Sequence, residues 1–103
     1  MNLDIMMKTI PKQEMVRFVV GLQDNNIPAD QHGYYKKWLR YYIDFCFKYD
    51  HDAMNPKSIQ PFIFKLREKK QTRTQQNQAY HAVLIYYKIN GIRLNRHLIE
   101  LTR

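Results

Sequence analysis

The sequence has very few of the residues that cross-link a chain or turn it sharply. Cys46 is the only cysteine among 103 residues. This excludes an intrachain disulfide and a cysteine-based zinc site, and it is typical of a reducing, intracellular setting. Three glycines and four prolines leave little turn chemistry, which disfavours an all-β fold.

Long apolar runs are also missing. No stretch approaches the roughly 18 apolar residues that a membrane-spanning helix needs. The first residues, MNLDIMMKTIPK, lack the basic segment followed by an apolar one that marks a secretory signal. These absences predict a cytoplasmic protein that has no membrane partner.

Acidic residues are scarce as well. Nine Asp and Glu stand against seventeen Lys and Arg, which gives a formal net charge of +8. A small domain this basic often binds a polyanion, although the charge could also serve solubility alone.

Apolar residues recur at helical spacing in four segments. In the first, Met15, Phe18, Val19 and Leu22 follow the i, i+3, i+4, i+7 pattern. Related patterns predict helices over about 11–24, 28–49, 58–70 and 72–90, and no strand. We therefore predict an all-α fold, with a flexible N-terminal arm over 1–10, one helical domain over 11–90 and a linker over 91–103.

Several residues suit the ends of these helices. Ser58 is a candidate N-cap for the third helix, and Thr72 or Thr74 for the fourth. Asn90 and Gly91 form a stop signal, because glycine readily takes the left-handed conformation that follows many helices.

No catalytic constellation is visible. The four histidines include no pair at i, i+3 or i+4, and the sequence has no HExxH, no P-loop and no GxGxxG motif. Asp50, His51 and Asp52 could bind a metal weakly, but a turn after a helix is the favoured interpretation. Cys46 lies on an apolar helix side, where a buried thiol is expected. We predict no catalytic residue, metal site or cofactor.

The basic residues fall into two clusters. Lys36, Lys37 and Arg40 lie in the front half of the second helix, away from its apolar stripe. Five cations and one anion, Glu68, stand between Lys65 and Arg73. Each cluster could also be an ordinary solvated helix face.

The front of the fourth helix is rich in amides. It reads TRTQQNQ from Thr72 to Gln78. Asn and Gln can pair with adenine in the major groove and Arg with guanine, and backbone N–H groups at a helix start favour phosphate. Exposed amides are also common surface residues, so this segment alone is weak evidence.

Three motifs together resemble the N-terminal core-binding domain of tyrosine recombinases, the phage-integrase group, and most closely that of integron integrases. The first is the aromatic pattern of the second helix, the second is the apolar pattern of the third, and the third is the QNQA step of the fourth. They are carried by Tyr35, Trp38, Leu39, Tyr42, Ile43 and Phe45; by Phe62, Ile63 and Leu66; and by Thr74, Gln76, Asn77, Gln78 and Ala79. One departure is the segment Ile27-Pro28-Ala29-Asp30, where the family usually has Ser- and Thr-rich residues.

The resemblance implies a four-helix, SAM-like orthogonal bundle that forms half of a clamp on double-stranded DNA. The second and fourth helices would approach the major groove, and residues 91–103 would lead to a catalytic domain that this sequence does not include. Implied partners are that domain of the same polypeptide and further recombinase protomers, in a protein of bacterial or phage origin. The predicted DNA-binding residues are Lys36, Lys37, Arg40, Lys69, Lys70, Arg73, Thr74, Gln75, Asn77, Gln78 and His81.

Two other functions fit parts of the sequence. A SAM-like protein-interaction module would use exposed Tyr34, Tyr41 and Tyr49 as an apolar docking patch. A stand-alone helix-turn-helix regulator is less favoured, because the short loop before the fourth helix lacks the usual glycine.

Overall fold

The computed structural model describes residues 10–94, and in this range the chain forms four α-helices and no strand. These helices are α1 (Lys12–Asp24), α2 (His32–Lys48), α3 (Ile59–Glu68) and α4 (Arg73–Ile89), with 3₁₀ turns at Ala29–Gln31 and Pro56–Ser58. The all-α, four-helix prediction is confirmed. The predicted arm and linker fall largely on residues 1–9 and 95–103, which lie outside the described range, and they stay predictions.

Helix α4 is the centre of the bundle and packs against each of the other three helices. The predicted core positions Ala79, Ala82, Val83 and Tyr86 are all buried. Across the bundle, the largest fully buried side chains are Trp38, Tyr42, Tyr87, Phe18, Phe62, Leu22, Leu39, Ile59 and Val83. Each large apolar side chain contributes roughly 1.5–3 kcal/mol when it is removed from water. The core is therefore aromatic and is built mainly where α2 meets α4.

Two buried tyrosines connect this core to the loop between α2 and α3. The Tyr42 hydroxyl donates to the Ala53 carbonyl at 2.7 Å, and the Tyr87 hydroxyl donates to the Asn55 carbonyl at 3.0 Å. The two hydroxyls also contact each other. Burial raises the pKa of both phenols, so both stay protonated. The loop is held in place because these phenols need polar partners inside the fold.

All four helices end in the same way. A residue with positive φ follows each C-cap: Asn26, Asp50, Lys70 and Gly91. The next residue's N–H then returns to the last turn, as in the 3.0 Å bond from Gln71 N to Leu66 O. This is the Schellman arrangement, which satisfies carbonyls that would otherwise be unpaired. The predicted stop at Gly91 and the predicted turn at Asp50 after the second helix are both confirmed. The third helix also ends in the predicted cationic segment, at Lys70.

The helix starts are more varied. Thr72 caps α4, and its side chain and that of Gln75 bond reciprocally to each other's backbone N–H groups, as in a capping box. Ser58 occupies the N-cap position of α3, but its side chain does not cap the helix. Its buried hydroxyl instead donates to the Asp52 carbonyl at 2.6 Å. The capping role predicted for Ser58 is corrected, because the loop before α3 needs that donor.

Alanine substitutions at two glycines are predicted to have opposite effects on stability. A Cβ at Gly21 would lie 2.6 Å from the Ile89 Cγ2 atom, whereas nothing lies within 4 Å of a Cβ at Gly33. We expect Gly21→Ala to destabilise the domain by about 1 kcal/mol, because overpacking outweighs the gain in helix propensity. Gly33→Ala is the matched control and should be neutral or stabilise by up to about 1 kcal/mol. Urea denaturation measures both, and a stabilised Gly21→Ala variant would contradict the close packing of α1 on α4.

Candidate nucleic-acid interface

The turn between α3 and α4 brings cations to the start of α4. Lys70 is in the left-handed conformation, with φ 63°. The Gln76 amide nitrogen donates to the Gln71 carbonyl at 2.9 Å, which fixes the turn against the first coils of α4. Lys69, Lys70 and Arg73 are all exposed. The turn therefore presents three cations within five residues, as the sequence predicted for this segment.

One side of α4 forms an exposed stripe. Thr74, Asn77 and His81 are exposed and follow each other at helical spacings of three and four. Residues with this spacing share one helix face, and Lys88 continues the stripe one residue before the end of the helix. The structure thus brings together three of the predicted polar residues on the solvent side of α4.

Two other predicted residues bond inside the fold. Gln75 is engaged in the capping box with Thr72. Gln78 lies between α2 and the preceding 3₁₀ turn: its Oε1 accepts from Trp38 Nε1 at 2.8 Å, and its Nε2 donates to Gln31 Oε1 at 2.8 Å. The Gln78 bonds differ from the expectation that its amide lines the groove-facing surface, whereas the capping bonds of Gln75 lie at the exposed start of α4. The physical reason is that the buried indole N–H needs an acceptor, and Gln78 is the side chain that supplies it.

His81 is attached to α2 through a tyrosine. The hydroxyl of the buried Tyr35 lies 2.9 Å from His81 Nδ1, and the two rings meet edge to face. Burial lowers the pKa of His81, which favours the neutral imidazole. A neutral ring that accepts the Tyr35 proton on Nδ1 carries its own proton on Nε2. In this tautomer, His81 presents its Nε2–H as a hydrogen-bond donor on the α4 stripe.

The cations of α2 do not all face α4. Lys37 Nζ lies 4.3 Å from the Trp38 ring centroid and 5.6 Å from that of Tyr34. The Trp38 contact places Lys37 close to Gln78 and the start of α4. Lys36 lies about 100° further around the helix, and Arg40 is exposed. Lys37 thus belongs with the α4 surface, whereas no described contact connects Lys36 or Arg40 to it.

A cleft between α3 and α4 adds a residue that the sequence analysis did not select. It has a volume of about 440 Å³ and is lined by Ile63, Arg67, Arg73, Gln76, Asn77 and Tyr80. Arg67 was visible only as one cation in a charged helix end. Its position beside Arg73 follows from how α3 packs on α4, which no local pattern shows.

Almost none of the charged side chains on this surface form an ion pair. Within residues 10–94 there is a single ion pair, between Lys65 and Glu68 at 3.7 Å. No group of His, Cys, Asp and Glu in the described range could hold a metal ion. No described helix has the length and apolarity needed to cross a membrane. The arrangement is thus a positively charged surface with neutral donors and acceptors at its centre.

Comparison with known protein families identifies the family of this helical bundle. Residues 15–90 match the model of the phage integrase N-terminal SAM-like domain. The chain belongs to this family. The match covers all four helices apart from the first residues of α1. No curated protein and no solved structure matches the chain significantly. The SAM-like domain assignment agrees with the all-α architecture.

Within this SAM-like domain, Gln78 and Asn77 should differ in their effect on stability. We expect Gln78→Ala to destabilise the fold by about 1–3 kcal/mol, because it leaves the buried Trp38 N–H without an acceptor. Asn77→Ala changes an exposed neighbour on the same helix and should stay within about 0.5 kcal/mol of wild type. Urea denaturation followed by far-UV circular dichroism measures both. Equal stabilities for the two variants would show that the Trp38–Gln78 bond does not matter to the fold.

The lowered pKa of His81 predicts a pH effect on stability. Its folded-state pKa lies below the unfolded value near 6.5, so the unfolded chain binds more protons as the pH falls below that value. Stability from the neutral ring is present above pH 6.5 and is lost as the pH falls through the folded pKa. Thermal unfolding between pH 7.5 and 5 should therefore show a smaller loss of stability for His81→Gln than for wild type. The opposite order would contradict a lowered pKa of His81 in the folded domain.

Proposed function

We propose that this SAM-like domain binds double-stranded DNA as the non-catalytic part of a site-specific tyrosine recombinase. The family match supports the recombinase context. The observation that carries the DNA-binding proposal is the surface at the start of α4, where Lys69, Lys70 and Arg73 adjoin the exposed Thr74 and Asn77. Cations position a protein on the phosphate backbone, and neutral donors and acceptors can read bases.

The geometry supports a division of roles along α4. The cations at its start would contact phosphates, together with Lys36, Lys37 and Arg40 of α2. Thr74, Asn77 and His81 would face the major groove, whose width of about 12 Å admits one helix. Gln75 and Gln78 would act indirectly, because their bonds to Thr72 and Trp38 orient the helix that carries the reading residues.

The further partners follow from the recombinase context. We propose that the domain is half of a DNA clamp, completed by the catalytic domain of the same polypeptide and joined on DNA by further protomers. The SAM-like family match supports this arrangement at the level of the domain family. The closer likeness to integron integrases stays a prediction that rests on the QNQA step.

A protein-interaction surface is the second candidate function. Tyr34 and Tyr41 are 53% and 41% exposed and flank Lys37 on one side of α2. Tyr49 is also exposed, but it lies about two turns beyond Tyr41 at the end of α2, where it contacts Phe45 and has Lys65 Nζ 5.1 Å from its ring centroid. Two tyrosines around a lysine form a smaller patch than the three-tyrosine surface that a docking module would present, so DNA binding is the better-supported function.

The salt dependence of duplex binding tests the proposal. With six to eight phosphates contacted, log Kobs against log salt should fall with a slope of about −5 to −7, and affinity should be on the order of 10⁻⁴–10⁻⁶ M at physiological salt. Lys69→Gln should make the slope shallower by about 0.9, because it removes one phosphate contact. Fluorescence anisotropy of a labelled duplex at several salt concentrations measures both. A folded domain that binds no duplex even at low salt would rule out the function.

Asn77 provides the matching test for base reading. Asn77→Ala should weaken the preference among duplexes selected from a random pool, because its amide can pair with a base edge. The salt slope should not change, since the amide carries no charge. An unchanged preference with wild-type affinity would place Asn77 outside the groove.

A further inference from the structure

The cleft between α3 and α4 has the composition of an anion site. Its lining includes two guanidinium groups, two amides and one phenol, and no carboxylate. Its volume of about 440 Å³ falls within the range of pockets that hold small ligands. A phosphodiester with parts of its flanking sugars would fit such a space.

The two arginines of the cleft have no anionic partner within the described range. The only ion pair there, Lys65–Glu68, includes neither Arg67 nor Arg73. Arg67 is in the last turn of α3, and Arg73 is the first residue of α4. The turn between these helices thus brings two positive charges to one cleft, where a guanidinium pair favours a phosphate oxygen.

The Tyr80 hydroxyl provides a second, independent indication that the cleft binds a ligand. Its hydroxyl is out of contact with solvent and has no hydrogen-bond partner among the described residues. Buried hydroxyls nearly always have a partner. Asn77 lies one turn away on the same wall, and its amide is not engaged by any described residue. The cleft therefore contains unused neutral donors next to unpaired cations.

We propose that this cleft binds one phosphodiester of the DNA backbone, with Arg67 and Arg73 holding the same phosphate. The inference rests on the proposed DNA-binding function and adds α3 to the interface. The Tyr80 hydroxyl, which is closed off from solvent in the free domain, turns toward the cleft to donate to the bound phosphate. The cleft sets the register of α4 on the duplex. Asn77 stands at the border between this phosphate and the groove.

A double-variant experiment on the full chain tests whether one phosphate is shared. Arg67→Gln, Arg73→Gln and the double variant are titrated with a labelled duplex at several salt concentrations, beside Lys48→Gln as a control. Lys48 is the exposed last residue of α2 and does not line the cleft. Lys48→Gln removes one positive charge, as each arginine variant does, but at a position outside the cleft. Circular dichroism confirms that each variant is folded.

A shared phosphate predicts non-additive losses. Each single variant should bind roughly three- to tenfold more weakly, and the double variant should lose less than the product of the two single losses. The salt slope of the double variant should be shallower by about 0.9, the value for one phosphate. Lys48→Gln should keep the wild-type slope.

Results that overturn only the cleft site can be told apart from a result that overturns the proposed function. Wild type that binds no duplex removes the proposed function and the cleft site with it. Duplex binding by wild type, together with unchanged affinity and an unchanged slope in the double arginine variant, overturns the cleft site alone. Additive losses with a slope shallower by about 1.8 indicate two separate phosphates and also overturn it.

Tyr80→Phe tests the neutral donor separately. The variant removes one oxygen and keeps the ring, so the fold should be retained. Duplex affinity should fall by roughly two- to fivefold at an unchanged salt slope, because a neutral hydrogen bond is lost. Wild-type affinity in this variant would show that the Tyr80 hydroxyl does not contact the phosphate, and the cleft would then lack its donor.

Discussion

The fold depends on how polar atoms of buried aromatic residues are satisfied where α2 meets α4. Trp38 donates to Gln78, Tyr35 pairs with His81, and Tyr42 reaches the Ala53 carbonyl. An unpaired buried polar group costs roughly 1–3 kcal/mol. Rotating α4 by one residue would break the first two bonds together. The orientation of α4 is therefore set by hydrogen bonds as well as by apolar packing, and this orientation decides which residues reach solvent.

Three sides of α4 consequently have different roles. Ala79, Ala82 and Val83 face the core and are fully buried. One flank is bonded to α2 through Gln78, and the other flank lines the cleft with α3. The stripe that remains carries Thr74 and other polar residues. A helix that is held on both flanks presents this stripe in one orientation, which is what recognition of a groove requires.

Sequence patterns predicted the helices but not the partners of individual polar residues. The helices and the α4 core follow from local periodicity, and Gly91 from the chemistry of a left-handed C′ position. Gln78 was expected at the surface, because an amide has the same local signature whether it meets solvent or an indole N–H. Arg67 was not selected, because its position beside Arg73 depends on the packing of two helices. Periodicity records which face is apolar, and it contains no information about which polar atoms meet across an interface.

Lys70 shows how local backbone cost and surface charge are connected. The other left-handed helix ends use Asn26, Asp50 and Gly91, and Asn, Asp and Gly tolerate this conformation best. A lysine at φ 63° costs roughly 1–2 kcal/mol that a glycine would avoid. Residues in strained backbone conformations cluster at functional sites. Under the proposed DNA-binding function, the exposed charge of Lys70 beside the start of α4 would offset this cost.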